Sequence, residues 1–478
     1  MSSGFLLQAL RTFASDGKYR RFVGVSIGNI PKLLPMDANA LIKQLLTSYK
    51  IILKHARAGS AQRVVAALLG VPALIALART ILRLLHKQQV DIYAHPSDKR
   101  AAFLLKHTPS LRAYSPPAWM DGNVQTLWGL QFRPRPPRII LYRREMLALG
   151  DGGEVALDWH SEPVRGGAVC ILFHGLTGGS QENYVQHMVY AASEAGMCVV
   201  VMNSRGCADS KMKTPRGYSA CWTADVRATV RRVRELVGSD SPIFAAGFSF
   251  GATVLSRYLV EEGNECDLQG AAVLCATLDR KACTLMVESG LSRFTYCHFI
   301  TESLRDFVRR HEGMLVKAGI DLELVYKCST VRVMERATIV PQFGFEDEWH
   351  YYEHSTTGHL LQDHVAIPTL VAHARDDPIC SVQGVPVHAP RVNPNLVVAL
   401  TDDGGHVAWL QGSVWPVGAS WIDACVVEFF QAVAAWNAEH GVSRDARRRG
   451  VPRTRFTDTI HCMATDLCEC DGCHEPET

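Results

Sequence analysis

No Asn-x-Ser/Thr triplet occurs anywhere in the 478 residues, so the chain offers no acceptor for N-glycosylation, which favours a chain facing the cytosol. Charge of either sign is not in excess: 50 Lys and Arg stand against 47 Asp and Glu, and no basic stripe interleaved with aromatics appears. That balance excludes the electrostatic footprint of a nucleic-acid partner. Residues 1–30 contain no continuous apolar run, so no cleavable secretory signal is expected. Cysteine is plentiful, but the total of 15 is odd, and Cys170, Cys198, Cys275 and Cys425 fall inside apolar strand-like and helix-like stretches. They read as small buried residues of a reducing compartment, not as a disulfide framework. Cys462, Cys468, Cys470 and Cys473, with His461 and His474, number enough ligands for zinc. They lie in a short acidic tail with no core to orient them and in no established spacing, so no metal is expected, and residues 441–478 read as a disordered basic, then Cys-rich tail. S-acylation is a second use for those thiols.

What is present suffices for one large core with appendages, since 47% of the residues are hydrophobic. Apolar runs alternate with amphipathic stretches over about 138–278: Val199–Met202 reads as a strand, Ala224–Leu236 as a helix, and Ala271–Ala276 as a strand. That alternation predicts an α/β fold, with a mostly parallel sheet and helices on both faces. A long helix-rich excursion over about 279–365, including Ser303–Lys317, is expected to form a cap. Its aromatics Phe294, Tyr296, Phe299, Phe307 and Trp349 are candidates either to line an acyl pocket or to pack the cap itself. A last helix, about Ile422–Asn437, closes the sheet.

The densest chemical signal is Gly247-Phe248-Ser249-Phe250-Gly251, between the apolar run Pro242–Ala246 and the helix-like Ala252–Leu259. A strand that reverses sharply into a helix strains the residue at the turn, and glycines two positions either side remove the side chains that would clash. The Ser249 hydroxyl is then presented at the carboxyl edge of the sheet, at a helix N-terminus. Such a nucleophile needs a base, a carboxylate to orient the base, and an oxyanion hole. The strand-like Pro368–Ala374 is followed by Arg375-Asp376-Asp377-Pro378, and Leu396–Leu400 by Thr401-Asp402-Asp403-Gly404-Gly405-His406. His406 is therefore the expected base and Asp377 the orienter, with Asp376 as the fallback. The oxyanion donors are expected to be the N–H of Phe250 and that of Leu176, in the loop His174–Ser180 after Ala168–Phe173. His174 is expected to hold that loop. No cofactor is required by this set.

These residues also resemble the AB hydrolase 4 group of the α/β-hydrolase superfamily, which includes membrane-anchored lipases and medium-chain ethyl ester synthase/esterases. The resemblance spans about Tyr114 to Ala435. It opens with Trp119-Met120-Asp121-Gly122-Asn123-Val124-Gln125-Thr126-Leu127, similar to the group's W-x-x-G-x-x-Q-T segment, and continues through Asp151-Gly152-Gly153 and Leu157-Asp158-Trp159. Asn203-Ser204-Arg205-Gly206-Cys207 with Tyr218 and Asp225 resembles a later segment, and Phe343-Gly344-Phe345, Tyr351-Tyr352 and Ser355 its late-lid signature. The group's nucleophile, acid and histidine fall on Ser249, Asp377 and His406. The resemblance implies an α/β-hydrolase fold and a serine carboxylic-ester hydrolase acting on lipid or acyl esters. The same triad serves an alcohol O-acyltransferase as an alternative, and a catalytically silent membrane-associated scaffold is the alternative of another class.

The first hundred residues differ in character, and the boundary with the hydrolase domain, 106–440, is expected near 105. Val64–Ala78 is uncharged, with further apolar residues around Arg79 and Arg83. At 1.5 Å per residue the uncharged part spans only about 22 Å, short of the ~30 Å hydrocarbon core. Arg79 and Arg83 share a helix face and can snorkel. The family resemblance implies a signal anchor there, so membrane attachment through about 64–85 is expected. The catalytic domain is expected to face the cytosol. Arg11, Lys18, Arg20 and Arg21 leave a mitochondrial transit peptide as an alternative.

Overall fold

A computed structural model describes residues 90–412 and 415–442. The chain divides into two units, Met1–Leu85 and His86–Thr478, and the described residues belong to the second. The candidate anchor at 64–85 and the Cys-rich tail lie outside the described residues. Among the described residues no helix is long and apolar enough to cross a membrane.

In the middle of the sheet, uninterrupted apolar runs become strands buried on both faces. β1 (Val90–Tyr93), β2 (Arg143–Ala148), β3 (Glu154–Trp159), β4 (Val169–Phe173), β5 (Cys198–Asn203), β6 (Ile243–Phe248), β7 (Gly270–Leu274), β8 (Thr369–Ala374) and β9 (Leu396–Thr401) make up the strands of the described residues. They form one nine-stranded sheet in the order β1-β9-β8-β7-β6-β4-β5-β3-β2. The strands from β4 to β9 pair parallel. The antiparallel pairs are at the margins, β1 on β9 and the β2–β3 hairpin leading onto β5.

The helices are α1 (Lys99–His107), α2 (Gly122–Gln131), α3 (Asn183–Glu194), α4 (Ala224–Val237) and α5 (Phe250–Glu262), then α6 (Arg280–Val287), α7 (Tyr296–Lys317), α8 (Leu322–Lys327), α9 (Val331–Phe343), α10 (Glu348–Ser355), α11 (Leu361–His364) and α12 (Trp421–His440). Strand side chains alternate between two cores. Ile171 and Phe173 join Ala245 on one face under Val226, Val230, Leu255 and Leu259 of α4 and α5. Cys170 and Leu172 join Phe244 and Ala246 on the other, under Val185 and Val189 of α3 and Phe429 and Phe430 of α12. Burial of each such large side chain contributes about 1.5–3 kcal/mol. A capping box of Ser420 and Asp423 starts α12, and Gly441 at φ 61° ends it.

The excursion between β7 and β8 is rich in helix and holds α6 to α11, joined by short turns. Its own core gathers Phe307, Val308, Leu315, Val325 and Met334 around Cys207 and Met212 of the sheet body. The aromatics proposed for an acyl pocket part company here. Phe307 and Tyr296 are buried, Trp349 packs edge-on against Tyr352, and Phe294 and Phe299 face outward. Phe307 and Trp349 thus serve packing.

The start of the sheet body differs from expectation. β1 and most of α1 lie upstream of residue 106, yet β1 pairs Val90 with Thr401 along β9, and α1 buries Leu104 in the core shared with α12. A four-residue strand carrying Asp91 has too little apolar length to announce itself. Its role is to cover an otherwise open sheet edge. The cysteines of the described residues are free thiols, nearly all buried.

Candidate active site

Ser249 stands between β6 and α5 at φ 53°, ψ −117°, a conformation that costs an L-residue and is held only by its surroundings. Those surroundings demand the two glycines. A Cβ on Gly251 would lie 2.4 Å from the carbonyl oxygen of Phe173, and one on Gly247 2.6 Å from that of Gly251. The Ser249 N–H donates to the Leu274 carbonyl at 2.9 Å, pinning the turn to β7. The hydroxyl emerges at the carboxyl end of the sheet.

His406 and Asp377 arrive at the same edge from β9 and β8. Ser249 Oγ is 2.8 Å from His406 Nε2, and His406 Nδ1 is 2.8 Å from Asp377 Oδ2. The other carboxylate oxygen of Asp377 accepts from the N–H groups of Ile379 and Cys380, each at 2.8 Å. Burial alone pushes the Asp377 carboxyl up, but the adjacent His406 and His373 rings and the Cys380 amide outweigh it and hold the carboxyl below its ordinary value. It is an anion with its lone pairs spoken for. Asp376 does something else: its Oδ1 accepts from the Gly405 N–H at 2.9 Å, in the loop before the histidine. Of the two carboxylates, it is Asp377 that faces the imidazole.

The loop after β4 carries Leu176, the residue expected to give an oxyanion donor. Its neighbours are occupied, since the Gly175 N–H donates to the Tyr184 hydroxyl at 2.8 Å and the Thr177 N–H to that of Tyr218 at 3.1 Å. The Leu176 N–H lies between them. Phe250 begins α5 directly after Ser249 and packs edge-on against Tyr218. His174 holds the loop, as expected. Its Nε2 accepts from the Ser204 N–H at 3.1 Å, so Nδ1 carries the proton and donates to the Gly175 carbonyl at 2.6 Å. Burial pushes its pKa down to about 4, which keeps the ring neutral.

Several residues quoted only for their family likeness turn out to brace these loops. Asp158 of β3 accepts from Ser180 Oγ at 2.6 Å and Asn203 Nδ2 at 2.9 Å, tying the loop after β4 to the hairpin. Arg205 bridges Asp151 and Asp225, and a Cβ on Gly153 would sit 2.6 Å from its guanidinium. Tyr351 of α10 accepts from the Ala220 N–H at 3.2 Å, fastening the cap to the body. The sequence reading gave no task to Thr126, Gln125 or Cys275. Thr126 accepts from the His406 N–H at 2.8 Å, Gln125 from the Leu410 N–H at 3.1 Å, and Cys275 Sγ from the Val407 N–H at 3.4 Å. Gln125 and Thr126 stand in the segment similar to the group's W-x-x-G-x-x-Q-T, and Cys275 carries no such signal.

A parallel sheet that carries a strained serine after β6, an aspartate after β8 and a histidine after β9 defines a class of hydrolase. Residues 169–413 match the α/β hydrolase fold family, and the chain belongs to it. The embryogenesis-associated protein EMB8 of Picea glauca is 34% identical, over 72% of this chain and 77% of its own length. Phospholipase ABHD3 of Homo sapiens is 31% identical, over 71% of this chain and 83% of its own. The medium-chain fatty acid ethyl ester synthase/esterase 2 of Saccharomyces cerevisiae is 30% identical, over 54% of this chain and 61% of its own.

Proposed function

We propose that the protein hydrolyses carboxylic esters of lipids or of medium- and short-chain acyl groups, through an acyl-serine at Ser249. The relay Ser249–His406–Asp377, closed by two contacts of 2.8 Å, carries this reading. His406 Nε2 takes the hydroxyl proton as Ser249 Oγ bonds to the ester carbonyl carbon. The carbonyl oxygen becomes an oxyanion stabilised by the N–H groups of Leu176 and Phe250. Collapse of that intermediate breaks the bond to the alcohol, which leaves with the proton from His406. Water, deprotonated by the same nitrogen, then attacks the acyl-serine and releases the acid. Asp377 fixes the tautomer and stabilises the transient imidazolium. These steps use no metal or organic cofactor.

Exposed apolar side chains on α2 and on the cap support a water-insoluble substrate. On α2 and the segment after it Leu127, Leu130 and Phe132 are exposed, and the rings of Trp119, Trp128, Phe132 and Trp415 touch one another. The cap adds exposed Leu285, Leu291, Phe294 and Phe299. Exposed apolar groups gathered in this way mark a surface that meets lipid or protein. Relatives named a phospholipase and an ethyl ester synthase/esterase support the same reading. Ser249→Ala is expected to lower hydrolysis of a medium-chain ester or vesicle phospholipid on the order of 10⁴-fold or more. Folded wild-type protein without turnover favours the scaffold reading instead. When an alcohol replaces water in the second step the same site makes an ester, and the partition of acyl product between water and added alcohol measures that share.

We further propose membrane attachment through residues 64–85, with the catalytic domain on the cytosolic side. The uncharged stretch Val64–Ala78 supports it. The full chain is expected to sediment with membranes after an alkaline wash; release of L74R/L77R alone supports the assignment, and release of wild-type protein contradicts it.

A further inference from the structure

The relay places its demands on one imidazole, and a carboxylate at Nδ1 fixes only one point of that ring. The backbone that carries the ring is the remaining variable. His406 lies in a loop in which Gly404, Gly405 and Val407 all have positive φ, at 154°, 60° and 59°. Such a loop has no ladder partner to hold it. Its amides are held by side chains from three other parts of the chain. The Gly405 N–H donates to Asp376 of the acid turn at 2.9 Å, the His406 N–H to Thr126 of α2 at 2.8 Å, and the Val407 N–H to Cys275 after β7 at 3.4 Å.

Thr126 is the central point of the three, and its geometry is fully determined. The side chain is buried, and its hydroxyl donates to the Gly122 carbonyl at 2.6 Å, which leaves a lone pair directed at the His406 amide. The fit around it is close. A Cβ on Gly405 would lie 2.4 Å from the Gly122 carbonyl oxygen and 2.6 Å from Thr126 Oγ1, and one on Gly122 would lie 2.0 Å from the Asp376 carbonyl oxygen. Gly122 and Thr126 thus form a seat, with no room for side chains on either glycine, into which the backbone of the histidine loop is pressed. Asp121 caps the same helix by accepting from the Val124 N–H at 3.0 Å, fixing the seat's orientation.

We propose that Thr126 is a positioning residue for the general base: its hydroxyl, by taking the His406 amide, sets the direction in which Nε2 meets Ser249. The proposal rests on the ester-hydrolase reading of the relay. Loss of the acceptor leaves a buried N–H unpaired, the loop shifts to find a partner, and the near-attack geometry of the relay is lost.

The test compares Thr126→Val, which keeps the shape, with Thr126→Ser, which keeps the hydroxyl. For Thr126→Val the expected result is a fall in kcat on the order of 100-fold with KM unchanged, and an equal fall in the rate of fluorophosphonate labelling. Thr126→Ser is expected to stay within about threefold of wild type, because its oxygen still accepts the amide. The low-field proton resonance of His406 Nδ1–H, read by NMR on each protein, is expected to shift or broaden in Thr126→Val and to persist in Thr126→Ser. Folded Thr126→Val with wild-type kcat and an unaltered resonance overturns the proposal, and so does an equal loss in both variants. Should Thr126→Val fail to fold, Thr126→Ala carries the same comparison without the added methyl. If wild-type protein neither turns over ester nor labels, the hydrolase reading falls, while the resonance still decides whether Thr126 orients His406.

Discussion

Two adjacent carboxylates after β8 end in different jobs, and backbone geometry separates them. Asp377 faces His406 with one oxygen while two amides hold the other; Asp376 turns away to accept from Gly405. An asparagine at 377 presents either no charge or the wrong tautomer to the ring, so Asp377→Asn is expected to lower kcat about 10⁴-fold. Asparagine at 376 keeps an acceptor oxygen, and Asp376→Asn is expected to stay within about tenfold. Steady-state kinetics on both variants check the pair, and equal losses contradict the division of labour. The sequence order of serine, acid and histidine was legible because each residue follows an apolar run. Which of Asp376 and Asp377 faces inward was a matter of turn geometry, settled in favour of the residue before Pro378.

The loop after β4 is braced by a buried histidine, and this gives the fold an acid-sensitive point. His174 has its pKa pushed down to about 4 by burial, below an unfolded value near 6.5. Between those values the unfolded chain binds the extra proton, so the stabilisation present above about pH 6.5 is lost as pH falls toward 4. The loss across that whole window amounts to about 3 kcal/mol. Denaturant melts at pH 7 and pH 5 are expected to show a drop of about 2 kcal/mol in wild type from this group. In His174→Asn most of that difference disappears; an undiminished pH dependence in the variant contradicts the assignment. Local elements such as this loop were legible where apolar runs and glycines mark strand ends. The amide clamps on residues 405–407 were not, because the side chains of Thr126 and Cys275 reach them from 280 and 132 residues away. β1 escaped notice for a different reason: four residues carry too little periodicity to register.

The sheet, its two buried cores and a cap between β7 and β8 bring side chains from distant parts of the chain to one edge. Parallel order was legible because strands buried on both faces read as continuous apolar runs. The cap's helices were legible as a block, while the roles of its aromatics were not, since periodicity does not distinguish a ring that packs the cap from one that lines a cavity. Residues that carry the family resemblance act as braces: Asp158, Arg205 and Tyr351 hold loops and cap to the body that positions Ser249. The account depends on an activated hydroxyl at that one position. Reaction of the full chain with a fluorophosphonate, followed by peptide mapping in a mass spectrometer, measures it directly. The expected result is a single adduct on the peptide containing Ser249, absent in Ser249→Ala and strongly slowed in His406→Ala; folded wild-type protein with no adduct, or with the adduct on another residue, contradicts it.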